Sequence, residues 1–265
     1  GGRRGRSRHD ILFELSRAEM VEGRFRDAVA HRRKSFEVLP KRARGVVVGR
    51  RPSMVRFHTG AGDLAAAERT LAAAEKALTQ AQYMRQWGRR GNRWTAAFET
   101  AKAFLLDAKG RHKKAEALHR SAIARMKSDL PDGQVSRFGI DTARRHLSRN
   151  LMSQGRLLEA EFQARLALSD TLRRVGRYSP ETAPVLSRLT SVVAAQGRHA
   201  EAEKLALATI DIFRHNGAAS ASVQLAQVRA KLAEALASQG KWRKALAQFE
   251  TVERDLAGDP NTFAQ

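Results

Sequence analysis

The stretch Gln196-Gly197-Arg198-His199-Ala200-Glu201-Ala202-Glu203 has a near copy in Gln154-Gly155-Arg156-Leu157-Leu158-Glu159-Ala160-Glu161 and a third in Gln239-Gly240-Lys241-Trp242-Arg243-Lys244-Ala245. Looser copies stand at Gly23-Arg24-Phe25 with Ala28, Gly62-Asp63-Leu64 with Ala67, and Gly110-Arg111-His112 with Ala115. Each is a glycine, usually followed by a basic residue, then an apolar or ring residue, with alanine five places on. The six glycines are spaced by 39, 48, 45, 42 and 43 residues. Self-similarity at such a period marks an array of small structural units.

The flanks repeat as well. Eight residues before the glycines stand Leu15, Met54, Lys102, Leu147, Leu189 and Leu232; seven before stand Ser16, Val55, Ala103, Ser148, Thr190 and Ala233. Twelve after come Ser35, Ala74, Ala122, Ala167, Thr209 and Val252. A large apolar residue beside a small one, a turn glycine, and then small residues suit two closely crossing helices. Small side chains let the backbones approach while the large one fills the space between them. Glycine supplies the left-handed conformation that ends the first helix.

Spacings of three and four place Ala202, Leu205, Ala206, Ile210 and Phe213 on one helical face. Leu158, Phe162 and Leu166 do the same one unit earlier, with Glu161 and Arg165 marking the wetter side. Six helix pairs are therefore predicted: 9–22/25–39, 50–60/64–87, 93–109/112–128, 140–154/157–174, 180–196/199–215 and 221–239/242–257. Ser179-Pro180 reads as an N-cap followed by proline at the first helical position. Pro40, the basic connector Lys41–Arg51, Gly88–Asn92 and Leu130-Pro131-Asp132-Gly133 read as breaks. The second pair is the weakest, with Val55 in the small slot and a short first helix. The organisation expected is a basic tail over 1–8, three pairs over 9–130, three over 134–257, and over 258–265 a tail cut from a longer chain. No polar capping helix follows Leu256-Ala257-Gly258, so an open terminal face is expected.

This pattern resembles the tetratricopeptide repeat, with its Gly turn, bulky residue two places later and following Ala. The resemblance implies an all-α solenoid, a right-handed superhelix of about six helix-turn-helix pairs. The spacing near 42–45 residues, longer than the usual repeat of about 34, is similar to the kinesin-light-chain subtype. That subtype in bacteria often precedes a caspase-like CHAT module. No cysteine exists here, so the cysteine-histidine dyad of such a protease is not carried within these residues.

The 265 residues are 42% hydrophobic and 29% charged, enough to bury a core. Without cysteine, disulfides, thiolate zinc sites and cysteine nucleophiles are excluded. No run approaches the length and apolarity of a membrane span, and a cytoplasmic protein is expected. The 49 Lys and Arg against 27 Asp and Glu leave +22. Residues 1–132 carry 30 basic and 14 acidic side chains, residues 133–265 carry 19 and 13. A field of this sign attracts nucleic acid, anionic lipid or acidic protein surfaces without choosing among them.

No catalytic constellation emerges, and no enzymatic activity, metal or cofactor is expected. Gly88-Arg89-Arg90-Gly91 lacks the spacing and the Lys-Ser/Thr of a phosphate loop. His112 and His119 share a helical face but lack a third ligand, so His112 reads as a turn filler and His119 as a helix-surface residue. His199 fills the turn slot that Phe25 and Trp242 fill elsewhere.

Function is therefore expected on the surface. The resemblance places the residue six before each turn glycine on the concave face: Arg17, Arg56, Phe104, Arg149, Ser191 and Glu234. Arg145 lies four before Arg149 on the same face. A groove built on Arg17, Arg56, Phe104, Arg145 and Arg149 suits a protein partner or an acidic peptide held by bidentate pairs; ordinary solvated arginines are the plainer reading. The Asn and Lys positions with which chaperone-binding members hold a terminal carboxylate are not matched. Arg89, Arg90 and Arg93, between Trp87 and Trp94, offer a nucleic-acid alternative, with phosphates on Arg and bases on rings. A third reading makes the repeats the sensor of an effector, such as a CHAT-type protease, encoded beyond Gln265.

Overall fold

In the computed structural model of the chain, residues 8–21, 24–39, 44–79, 89–128, 139–217 and 222–257 are described. The chain divides into two compact units. Unit 1, Gly1–Pro131, holds α1 (Arg8–Val21), α2 (Phe25–Glu37), α3 (Arg44–Gly60), α4 (Leu64–Thr79), α5 (Arg89–Ala108) and α6 (His112–Ser128). Unit 2, Asp132–Gln265, holds α7 (Ile140–Ser153), α8 (Leu157–Val175), α9 (Thr182–Ala195), α10 (His199–His215), α11 (Val223–Ala237) and α12 (Trp242–Ala257). Among the described residues there is no strand. Successive helices pack as six hairpins, α1/α2 through α11/α12, so each unit is a row of three helix pairs.

The turns explain the recurring glycines. Gly62, Gly110, Gly155, Gly197 and Gly240 have φ between +71° and +78°, the left-handed region that costs other residues roughly 1–2 kcal/mol. The next residue donates its N–H to the carbonyl five positions back: Arg156 to Leu151 at 3.0 Å, Arg198 to Val193 at 3.2 Å, Lys241 to Leu236 at 3.0 Å. This closes the helix end in a Schellman turn. A Cβ at Gly197 would meet nothing within 4 Å, so backbone conformation, not crowding, selects glycine. Gly23 lies outside the described residues, although Arg24 donates to Glu19 O at 2.9 Å in the same pattern.

The small positions form the helix–helix seam. Ser16, Val55, Ala103, Ser148, Thr190 and Ala233, seven before the glycines, are each 1% exposed or less. The alanines five after, Ala28, Ala67, Ala115, Ala160, Ala202 and Ala245, are equally hidden, at 3% or less. Larger residues fill the space beside this seam. In unit 1 Val55, Ala67, Ala101 and Leu105 pack with Leu64 and Leu71; in unit 2 Leu189, Val193, Ala164 and Ala202 pack with Leu168 and Leu205.

Several expectations need correction. On α8 the buried stripe is Ala160, Ala164, Ala167 and Thr171, whereas Leu158 is 80% and Phe162 60% exposed. Close backbone approach outweighs side-chain size there, so the small residues face inward. Helix α3 begins at Arg44 and runs through a buried Pro52, so Lys41–Arg51 is not wholly a connector and the second pair's first helix is not short. Burial of Met54, Val55, Phe57 and His58 offsets the lost proline hydrogen bond. Helix α5 begins at Arg89, placing Gly91 and Asn92 in its first turn, where amides need no intrahelical partner. Helix α9 starts at Thr182, not at Pro180: the Ser179 hydroxyl accepts from Glu181 N–H at 3.3 Å and Thr182 Oγ1 donates to Gly176 O at 2.8 Å. Trp242 is exposed, with Leu246 and Phe249 on the same face of α12, so packing does not account for it. The Pro40, Trp87 and Leu130–Gly133 signals and the two tails lie outside the described residues, except Arg8, which opens α1 and does not belong to a tail.

In unit 2 the recurring turn also staples one pair to the next. Gln196 Nε2 donates to Leu157 O at 3.1 Å, and Gln239 Nε2 donates to His199 O at 3.2 Å, in both cases the first residue of the preceding second helix. The basic residue after the glycine reaches a carboxylate six past the preceding glycine: Arg198 to Glu161 at 2.8 Å, Lys241 to Glu203 at 2.7 Å. Burial pushes the Glu161 carboxyl up, but hydrogen bonds from Arg165, Gln196 and Arg198 outweigh it and hold it below the usual range. No helix among the described residues is long and apolar enough to cross a membrane.

Candidate functional site

The first helices of unit 2 lie side by side, α7 against α9 and α9 against α11. Their shared face carries four cations. Arg145 and Arg149 are one turn apart on α7, Arg188 is on α9, and Lys231 is on α11. Arg149 is exposed, while the other three are half-buried. Burial lowers the Arg145 guanidinium below its usual value, Asp141 opposing and Arg149 adding to the shift. Burial, then Arg145 and Arg149, bring Arg188 down to about 10. Burial, then Arg188, bring Lys231 down to about 8, with Glu234 opposing. The shifts run in one direction because like charges share a poorly hydrated surface.

At the centre of this group, donor capacity is left over. Lys231 Nζ donates to Ser187 Oγ at 2.8 Å and Ser187 O at 3.3 Å, leaving one of three ammonium protons. Arg188 has a 3.9 Å contact to Met152 Sδ, and its buried Nε–H has no hydrogen-bond partner. Asp141, whose charge opposes the shift at Arg145, already accepts from Arg174, from Thr171 at 3.1 Å and from Thr142 N–H at 2.8 Å. Ser191 turns its hydroxyl to Ser187 O at 3.1 Å, and Glu234 is exposed.

Sequence spacing singles out Arg145 and Arg149 but misses Arg188 and Lys231. Both stand nine residues before a turn glycine, about one turn ahead of the concave-face position expected from the resemblance. In the other four repeats that column holds Glu14, Ser53, Ala101 and His146, so the repeat pattern does not mark it as basic.

Unit 1 treats its expected site residues differently. Arg56 lies over the Phe104 ring at 5.6 Å from its centroid, so these two meet as a cation–π pair on α3 and α5. The side chains of Arg17, Arg89, Arg90 and Arg93 lie outside the described residues. The histidines also differ from expectation. His119 is buried, not on the surface, and Asp107 bridges the two rings, at 3.1 Å from His112 Nδ1 and 3.1 Å from His119 Nε2. A carboxylate spent on both rings fastens α5 to α6; no cluster of three metal-ligating residues occurs among the described residues.

No family model matches the sequence, and no curated protein matches it. Solved structures do. BtubC (BKLC) from P. vanneervenii is 19% identical with a TM-score of 0.65, over 97% of this chain and 95% of that one. A Podosopora anserina putative kinesin light chain with nearly identical TPR-like repeats is 18% identical with a TM-score of 0.58, over 84% and 99%. A Rap protein complexed with Competence and Sporulation Factor is 13% identical with a TM-score of 0.63, over 94% and 76%. The fold of this chain is thus that of tetratricopeptide-like helical-repeat proteins.

Proposed function

We propose that this chain is a non-catalytic protein-interaction scaffold that binds an acidic peptide, or an acidic segment of a partner protein, on the first-helix face of unit 2. The observation that carries this reading is the grouping of Arg145, Arg149, Arg188 and Lys231 on three adjacent helices, with donors of Arg188 and Lys231 still unused. Holding cations together in a half-buried face costs stability, and an anionic ligand removes that cost. The Rap structure, solved in complex with Competence and Sporulation Factor, supports ligand binding as a use of such an array. The CHAT association rests on the sequence resemblance alone and is tested by reading the parent gene on either side of the chain.

Peptide arrays probed with the full chain test the proposal. Peptides rich in Asp and Glu are expected to be retained, and Arg149→Glu together with Arg188→Gln to abolish retention. Retention indifferent to these substitutions, or to peptide charge, overturns it.

A further inference from the structure

The arrangement of the four cations says more about the anion than its sign. Lys231 Nζ reaches Ser187, the residue before Arg188, at 2.8 Å, and Arg188 reaches across to Met152 on α7 at 3.9 Å. The side chains of α11 and α9 thus lean toward α7, and the charges gather around Arg188, which feels Arg145, Arg149 and Lys231. Asp141 is held by Arg174 and Thr171, and Glu234 lies beside Lys231. A single carboxylate has one charge and two oxygens, and it satisfies one guanidinium in a bidentate pair. A phosphoryl group on a side chain carries close to two charges at neutral pH and three acceptor oxygens. Its charge and oxygens suit a cluster of guanidiniums with the remaining ammonium proton of Lys231 better than one carboxylate does.

We infer that the Arg145, Arg149, Arg188 and Lys231 cluster is a receptor for a phosphorylated serine or threonine on the bound peptide. This rests on the peptide-binding reading and adds the chemical class of the residue recognised. Arg188 is the central donor. Its half-buried position between α7 and α11 lets it hold the dianion while Arg149, at the exposed edge, takes an outward oxygen. Lys231 is already oriented by Ser187, so its remaining proton is aimed without further ordering.

The test uses three degenerate peptide libraries identical except for the fixed central residue: phosphoserine, glutamate or serine. Binding to the full chain is read by fluorescence anisotropy, with folding of each variant checked by circular dichroism. The phosphoserine library is expected to bind about tenfold tighter than the glutamate library, the equivalent of about one charge-assisted hydrogen bond. Arg188→Gln is expected to erase that preference. Arg149→Gln, at an exposed position, is expected to reduce it in a protein that folds normally even where Arg188→Gln does not. Equal binding of the phosphoserine and glutamate libraries overturns the phosphoryl assignment and leaves the acidic-peptide scaffold standing. Failure of all three libraries overturns both. A phosphoserine preference that survives Arg149→Gln and a folded Arg188→Gln places the receptor elsewhere, and displacement of the peptide by oligothymidylate at lower concentration than by itself assigns the face to nucleic acid instead.

Discussion

In unit 1, Arg32 is buried at 2% exposure with its guanidinium 3.6 Å from the Phe13 ring centroid and 4.7 Å from that of Phe57, and Arg56 lies over Phe104. In unit 2, Arg188 feels the charges of Arg145 and Arg149, and Lys231 feels that of Arg188. The first arrangement replaces lost hydration with ring quadrupoles and so contributes to folding. The second leaves repulsion in place and so opposes folding until an anion arrives. The more basic half of the sequence thus uses these arginines as packing, while the less basic half gathers its cations in the cluster proposed as the binding face. Net charge by region does not say what a cation does; what each cation faces decides it.

Removing the sandwiched arginine separates the two arrangements most strongly. Arg32→Ala is expected to destabilise unit 1 by about 3 kcal/mol through lost ring contacts and a cavity, measured by urea denaturation. Arg188→Met in unit 2 is expected to leave stability unchanged or raise it, because it removes a repelled charge. Equal losses for both would dissolve the contrast.

Lys231→Met sharpens it through pH. Lys231 holds its proton to about pH 8 in the folded chain against 10.5 as the ordinary value. Between those values the unfolded state binds more protons, so the contribution of Lys231 to stability rises with pH from about 8 to about 10.5. Below pH 8 its penalty is present in full, on the order of 3 kcal/mol. The stability difference between Lys231→Met and wild type is therefore expected to be largest at pH 7 and to shrink toward pH 10.5. A difference independent of pH would contradict the burial of Lys231 beside Arg188.

Smaller effects concern the frame that holds the cluster. Gly197→Ala forces a left-handed alanine between α9 and α10 and is expected to cost about 1 kcal/mol, read as faster amide exchange in both helices. Gln239→Ala removes the bonds to His199 O and Glu203 and is expected to cost roughly 0.5–1 kcal/mol, loosening α11 and α12 against α10 with no change in unit 1.

The frame was legible because the seam is written in residue size: the glycine, the alanine five later and the residue seven earlier occupy fixed places in each of the five hairpins whose turn glycine is described. Hydrophobicity misled where size ruled, as at Leu158 and Phe162, which lie outside an alanine seam. Breaker residues misled at Pro52 and Gly91, where packing and helix-end position absorb them. Half of the proposed cluster was legible, since Arg145 and Arg149 follow from helical spacing on one chain segment. Arg188 and Lys231 join them only through the sideways packing of α7, α9 and α11, a relation between repeats that a single repeat does not state. Asp107 reaching His112 and His119 is a contact of the same kind.

Amide hydrogen exchange of the full chain, with and without a saturating acidic peptide taken from the array, is the most direct test of where the ligand sits. Slowed exchange concentrated in α7, α9 and α11, with α3 and α5 unchanged, is the predicted result. Slowing confined to α3 and α5, or to the second helices α8, α10 and α12, would contradict the account.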